Sequence, residues 1–243
     1  MYNLDQNKNY QYDNTFEVAS ASKTFMTGVF SWMFLALTVT AITAYLFGTS
    51  TELLSMLINP EVGGMTGLGW FVMLSPLGFV LIMSMGYNKL SSPVLTLLFT
   101  IFAVLMGMSI SFIFMAYTLG SIFATFGICA GMFGVMAIAG YTTSTDLTKM
   151  GSLLFMGLIG IIIASVVNMF MQSGTMQYVI SFLGVLIFTG LTAYDVQKLK
   201  RIGETTVNGS ESMKKAMIMG ALNLYLDFID LFLFLLRFFG NRK

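Results

Sequence analysis

Seven long apolar runs leave this chain few ways to fold outside a lipid bilayer. Cut wherever charges, Asn/Gln or turn residues interrupt them, they cover approximately 25–48, 66–86, 93–116, 119–141, 152–171, 176–197 and 217–239. A hydrocarbon core about 30 Å thick is crossed by roughly 20 helical residues rising about 1.5 Å each, so each run is long enough to span. Outer-membrane strands would be about 10 residues long with alternating polarity, and these runs are continuous. The expected fold is an all-α integral membrane protein with seven transmembrane helices.

Composition narrows the chemistry. Only 9% of the 243 residues are charged, against about 25% in soluble domains. Twelve Lys+Arg against eleven Asp+Glu leave a net charge of +1 and no basic face, so no nucleic-acid partner is expected. With no histidine, His-ligated haem, His-based zinc and any Ser/His or Cys/His catalytic pair are excluded. Cys129 is the single cysteine, which rules out an intramolecular disulfide, and its apolar setting reads as a small buried hydrophobe. The 21 Met and 23 Phe read as core and lipid-facing filler. Carboxylates, amines, hydroxyls and amides remain.

Residues 1–23 are polar and Asn-rich without an apolar core, so they read as a disordered tail with no cleavable signal, ahead of one seven-helix domain over 24–243. Linkers are short except 49–65 and the charged stretch 198–216. Lys8 and Lys23 lie in the tail, and Lys89, Lys149, Lys198, Lys200, Arg201, Lys214 and Lys215 lie in the even linkers; the odd linkers have none. The positive-inside rule then places the N-terminus and the even linkers in the cytoplasm. It leaves Arg242 and Lys243 outside, on a tail read as too short to matter. Gly127, Gly131, Gly134, Gly157 and Gly160 read as generic tight packing between helices.

An ionisable side chain inside a span costs roughly 2.5 to 3.5 kcal/mol on insertion scales and is a functional candidate by default. Most acids fall in the tail or linkers. The exceptions are Asp195 on the sixth helix, and Asp227, Asp230 and Arg237 on the seventh. With Gly220 and Asn223, these last three form one polar stripe along helix seven. Such a stripe cannot face lipid, so helix seven should either be surrounded by the other six or line a wet cavity. Thr189, Thr192 and Asp195 form a similar stripe on helix six.

Counted from the linker, Asp195 and Asp227 lie at different depths, and the sequence does not fix a contact between them. If they meet, the pair titrates as a unit and acts as a proton-sensitive latch. Protonated, it ties the two helices by a shared hydrogen bond; deprotonated, it repels and offers hard oxygen ligands of the kind Ca²⁺ takes.

The blocks GLTAYDVQKLKRIG (190–203) and ALNLYLDFIDLFLFLLRFFG (221–240) strongly resemble the last two helices of the Bax inhibitor family. SSPVLTLLFTIFAVLMGMSISFIF (91–114) and GYTTSTDLTKMGSLLFMGLIG (140–160) extend the likeness over nearly everything after residue 20, and the short polar tail looks like that of a bacterial member. The resemblance implies seven helices with the last enclosed by the other six, and a pH-sensitive Ca²⁺ leak. It assigns the family's paired aspartates to Asp195 and Asp227. Some bacterial relatives carry an arginine cluster at the cytoplasmic end of helix two; the best match here is the single Lys89, which lacks the bidentate geometry of a guanidinium. Asp230 stands where the family is expected to carry Asn, and it is read as behaving as the amide does.

The expectation is therefore a non-enzymatic channel in a bacterial inner membrane. Asp195, Asp227 and Lys89 form its sensor and gate, Asp195 and Asp227 its cation site, and Asn223, Asp230 and Arg237 its polar stripe. Its partners are the lipid bilayer, Ca²⁺ as permeant or bound ion, and protons; a membrane-protein partner is compatible and no cofactor is implied. The alternatives are a proton-coupled cation transporter, a non-transporting regulator of a membrane partner and, last, an intramembrane aspartyl protease. Such proteases share a Tyr-Asp pair like Tyr194-Asp195 but carry Gly-x-Gly-Asp where this chain has LYLD.

Overall fold

A computed structural model of the chain describes residues 2–59 and 64–243, with side chains from Ser20 onward. The tail expected to be disordered, 1–23, lies up to residue 19 outside the described side chains. The seven spans are α1 (Tyr2–Thr49, apolar from Ser20), α2 (Gly67–Gly86), α3 (Ser92–Ile110, continued by a short helix Ile113–Ala116), α4 (Leu119–Thr142), α5 (Thr148–Met171), α6 (Gly174–Thr205) and α7 (Glu211–Phe239). Between α1 and α2 a helix Thr51–Leu57 leads into a small antiparallel pair, Ile58–Asn59 with Gly64–Met65.

Hydroxyl caps set several helix starts. Thr66 at the head of α2, Ser173 at α6 and Ser210 at α7 each accept a hydrogen bond from the backbone N–H three residues on, at 3.0 to 3.3 Å. The sequence places the end of helix six and the start of helix seven wrongly. The expected linker over 198–216 is largely helical and the true turn is 206–210, with Gly209 at φ +74° supplying the left-handed step. Charges mark where hydrocarbon ends, but a helix with a satisfied backbone runs on into the headgroups and water.

Contacts between linkers sort helix ends onto two opposite sides of the bundle. At one end, Glu211 accepts from the Ser92 N–H at 2.6 Å, Lys200 Nζ donates to the Tyr141 carbonyl at 3.0 Å, and Ser22 at the head of α1 donates to the Lys200 carbonyl at 3.4 Å. At the other, Arg242 bridges Tyr117, and Lys243 Nζ donates to the Phe114 carbonyl at 2.7 Å. The chain's last residues therefore lie opposite the head of α1, as an odd number of crossings requires.

The layers follow from burial. In its most apolar stretch α7 is 67% buried, the largest share of any span, and α5 only 6%, the smallest. The main neighbours of α7 are α6, α1, α4 and α3; α2 packs chiefly on α3, and α5 on α6. Four helices thus form its main surround, where six were expected, because α2 and α5 sit in an outer layer. The inner packing is tied by few polar bonds. Tyr225 donates to Thr40 Oγ1 at 2.7 Å, and Thr40 in turn donates to the Ala103 carbonyl at 2.8 Å. Cys129 is fully buried, with Sγ 3.6 Å from the Phe228 carbonyl, as a small hydrophobe should be.

Close helix approaches occur at glycines other than most of those singled out by spacing. A Cβ on Gly127, Gly131, Gly134 or Gly160 would meet nothing within 4 Å, whereas on Gly140 it would lie 2.2 Å from the Ala193 carbonyl oxygen. Spacing reveals a stripe of small residues but not the direction in which it points.

Candidate functional site

The site forms where three helices meet beside Asp195. On one flank Gly140 of α4 lets the α6 backbone come into contact at Ala193; on another, Gly151 of α5 leaves room for the Tyr194 ring, which would lie 2.5 Å from any Cβ there. On α7, Gly220 receives Leu199, and on α6 Gly184 receives Phe234. These small residues bring α6 against α7 along the most extensive helix pair in the molecule.

The side chains of Asp195 and Asp227 lie against each other, carboxyl to carboxyl. They are 7% and 6% exposed, and Asp227 Oδ2 is buried without a partner among the described residues. An ionised carboxylate only accepts, so a hydrogen bond between two carboxyl groups holds one proton. The unpartnered oxygen leaves one strong acceptor aimed at no protein donor.

The pair lies on the wall of a cavity of about 550 Å³ between α5, α6 and α7. Phe155, Ile162 and Phe234 supply apolar wall; Asn223, Asp230, Lys198 and Ser165 supply polar atoms. Of the two arrangements the stripe allowed, helix seven presents its polar residues to a cavity: Asn223 is exposed there, Asp230 half-buried and Asp227 buried. Arg237 lies apart, in a second cavity towards the other end of the cleft.

Lys89 does not join this group. It sits exposed in the α2–α3 turn, and among the described residues its side chain makes no hydrogen bond or ion pair. The lysine whose charge acts on Asp195 is Lys198, which also lines the cavity. Three residues apart on a helix, Asp195 and Lys198 share a face. That spacing is present in the sequence, but the charged run from Lys198 reads as linker where the structure continues the helix.

A resident Ca²⁺ would take six to eight oxygens. Among the described residues no group of three or more His, Cys, Asp or Glu could hold a metal. Two carboxyls and the Asn223 amide on one cavity wall fall short of such a closed site.

Gln197, which sequence reasoning passed over, fastens the adjoining linker to α6. Its Oε1 accepts from the Leu147 N–H at 2.9 Å and its Nε2 donates to the Thr145 carbonyl at 2.8 Å. Beside it Arg201 donates to Asp146 at 2.9 Å. Hydrogen bonds from the Thr148 hydroxyl and N–H, with Arg201 adding to them, hold the Asp146 carboxyl down to about 2. A depressed carboxyl stabilises the fold above its unfolded value of about 3.9 and loses that effect as pH falls through its folded value. Asp146 is therefore ionised throughout pH 5–8. Asp146→Asn should leave any pH response in that window unchanged, measured as flux or as melting temperature.

Comparison with known proteins agrees on kinship. Residues 22–243 match a family model described as "Inhibitor of apoptosis-promoting Bax1". The chain is 42% identical over 232 residues to "Inner membrane protein YbhL" of Escherichia coli (strain K12), covering 95% of this chain and 97% of that one. It is 45% identical over 219 residues to an uncharacterized protein of Borreliella burgdorferi, covering 90% and 92%. With the uncharacterized protein RP147 of Rickettsia prowazekii it shares 41% identity over 239 residues, covering 96% and 98%.

Proposed function

The chain belongs to the Bax inhibitor family, and on that footing we propose that it is a pH-sensitive Ca²⁺ leak channel of a bacterial inner membrane. The single observation that supports this reading is the juxtaposition of the Asp195 and Asp227 carboxyls on the wall of a cavity. Structural carboxyls are usually paired with a cation or a donor; two that face each other depend on a proton for their attraction.

With one proton shared, the pair ties α6 to α7. When it leaves, two like charges at hydrogen-bond distance in a poorly solvated setting repel, and the same oxygens become ligands for a hard divalent cation. Asn223 and Asp230 extend the polar lining along α7, and Lys198 adds a positive charge to the same cavity wall. By the positive-inside rule the Lys198 end, with Lys200, Arg201, Lys214 and Lys215, faces the cytoplasm, and so does the N-terminus. Among the described residues the acids offer no nucleophile–base arrangement with histidine or cysteine, and no step of bond breaking is needed.

The test is Ca²⁺ flux into vesicles holding the purified full chain, measured from about pH 5 to 8 for wild type, Asp195→Asn and Asp227→Asn. Wild-type flux should change across the range, and each variant should flatten the profile while still passing Ca²⁺. An unaltered pH response in both variants overturns the latch. Obligatory counter-movement of protons with each ion would make the protein a coupled transporter. Absence of flux from wild type would leave a regulatory role for the pair.

A further inference from the structure

A second cavity, about 370 Å³, occupies the same α5–α6–α7 cleft at the end opposite Lys198, and Ser165 belongs to the walls of both. Its polar lining is Ser165, Asn168, Gln172, Gln177 and Arg237, with no carboxylate among them. Arg237 is exposed in the last turn of α7. Among the described residues its guanidinium makes no hydrogen bond or ion pair, and it lies 5.6 Å from the centre of the Phe234 ring. Asn168 uses Oδ1 to accept from the Ser173 N–H at 3.0 Å, which leaves its NH₂ free to donate. The Gln172 and Gln177 side chains likewise have no hydrogen-bond partner among the described residues.

A lone guanidinium with several amide donors and no acid is complementary to an oxyanion, and Arg binds phosphate through two parallel hydrogen bonds. The depth fixes the source. The cavity lies where α5 ends and α6 begins, and Phe170, Tyr178 and Phe239 at 78%, 58% and 59% exposure ring that level, as aromatics do at a membrane interface. Beside it the outer face of α5 is apolar and exposed, with Ile162, Val166 and Met169 at 54%, 53% and 66% exposure, a surface that suits an acyl chain.

We infer that the Arg237 cavity binds the phosphate of an anionic phospholipid headgroup, with an acyl chain lying on the exposed apolar face of α5. The site is separate from the proposed proton latch and stands whether or not that latch operates.

Native mass spectrometry of the full chain in detergent tests this, with phosphatidylglycerol, glycerol phosphate and diacylglycerol as probes. Wild type should retain one phosphatidylglycerol, and Arg237→Gln should weaken retention about tenfold, which corresponds to losing about 1.4 kcal/mol from a charge-assisted contact. Gln172→Ala with Gln177→Ala, which removes two donors and no charge, should weaken it severalfold. Arg242→Gln, at the neighbouring tail, should not change it. Equal retention by wild type and Arg237→Gln, or by diacylglycerol and phosphatidylglycerol, overturns the site. Glycerol phosphate held as tightly as the lipid overturns the lipid source in favour of a free phosphate. Should Arg237→Gln not fold, undiminished retention by the double glutamine variant overturns the proposal.

Discussion

Gly140→Val should largely abolish recovery of folded protein, while Gly131→Ala on the same helix should be recovered as wild type. At Gly140 the added Cβ would lie 2.2 Å from the Ala193 carbonyl oxygen, a backbone atom with no rotamer to escape into. Helices α4 and α6 must separate, and α6 carries Tyr194 and Asp195 immediately beyond the contact. Overpacking of a well-packed interior costs about 1 to 3 kcal/mol and more where backbone is displaced, so a fall of roughly 10 °C in melting temperature is expected. A Cβ on Gly131 meets nothing within 4 Å. There alanine brings only its better helix propensity, about 1 kcal/mol in water. Size-exclusion recovery and thermal unfolding in detergent read both; equal behaviour of the two variants would show that α4 and α6 do not approach at residue 140.

Asp227→Ala should destabilise the protein by about 1 to 3 kcal/mol, because it leaves the Asp195 carboxyl buried beside a small void without its partner. Asp227→Asn should cost much less, since the amide still donates to Asp195 without needing a proton. Substituting both aspartates by alanine should cost less than the two single changes added together, with a coupling of about 1 kcal/mol or more. Strict additivity in thermal unfolding would mean that the side chains do not touch. The two substitutions thus separate structural from proton-dependent roles: alanine removes the bond, asparagine only its dependence on pH.

Much of the fold could be read directly because hydrophobic length is a local property. All seven spans lie within a few residues of the expected runs, except at the α6–α7 turn, where Lys198, Lys200 and Arg201 ride on a helix that extends past the apolar zone to Thr205. Asp195 and Asp227 could be named because an acid inside an apolar run stands out against its neighbours whatever the packing. Lys89 rests on resemblance alone, and it is exposed in a turn. Lys198 lies one turn from Asp195, but its charge reads as the start of a linker. Gly140 and Gly151 carry no periodic signal that distinguishes them from Gly131 or Gly134; only the position of the neighbouring backbone does.

By itself the sequence determined that this chain spans a membrane seven times with helices, and which few ionisable groups are placed there at an energetic cost. Each of those conclusions depends on side chains and solvent within one stretch of chain. The tertiary structure decided that Asp195 sits beside Asp227, that helix seven lines a cavity with four helices as its main neighbours, and that Arg237 belongs to a different cavity. Those outcomes depend on how far and at what rotation helices approach one another. Close contacts between distant residues such as Gly140 and Ala193 set that approach, and no local pattern encodes it.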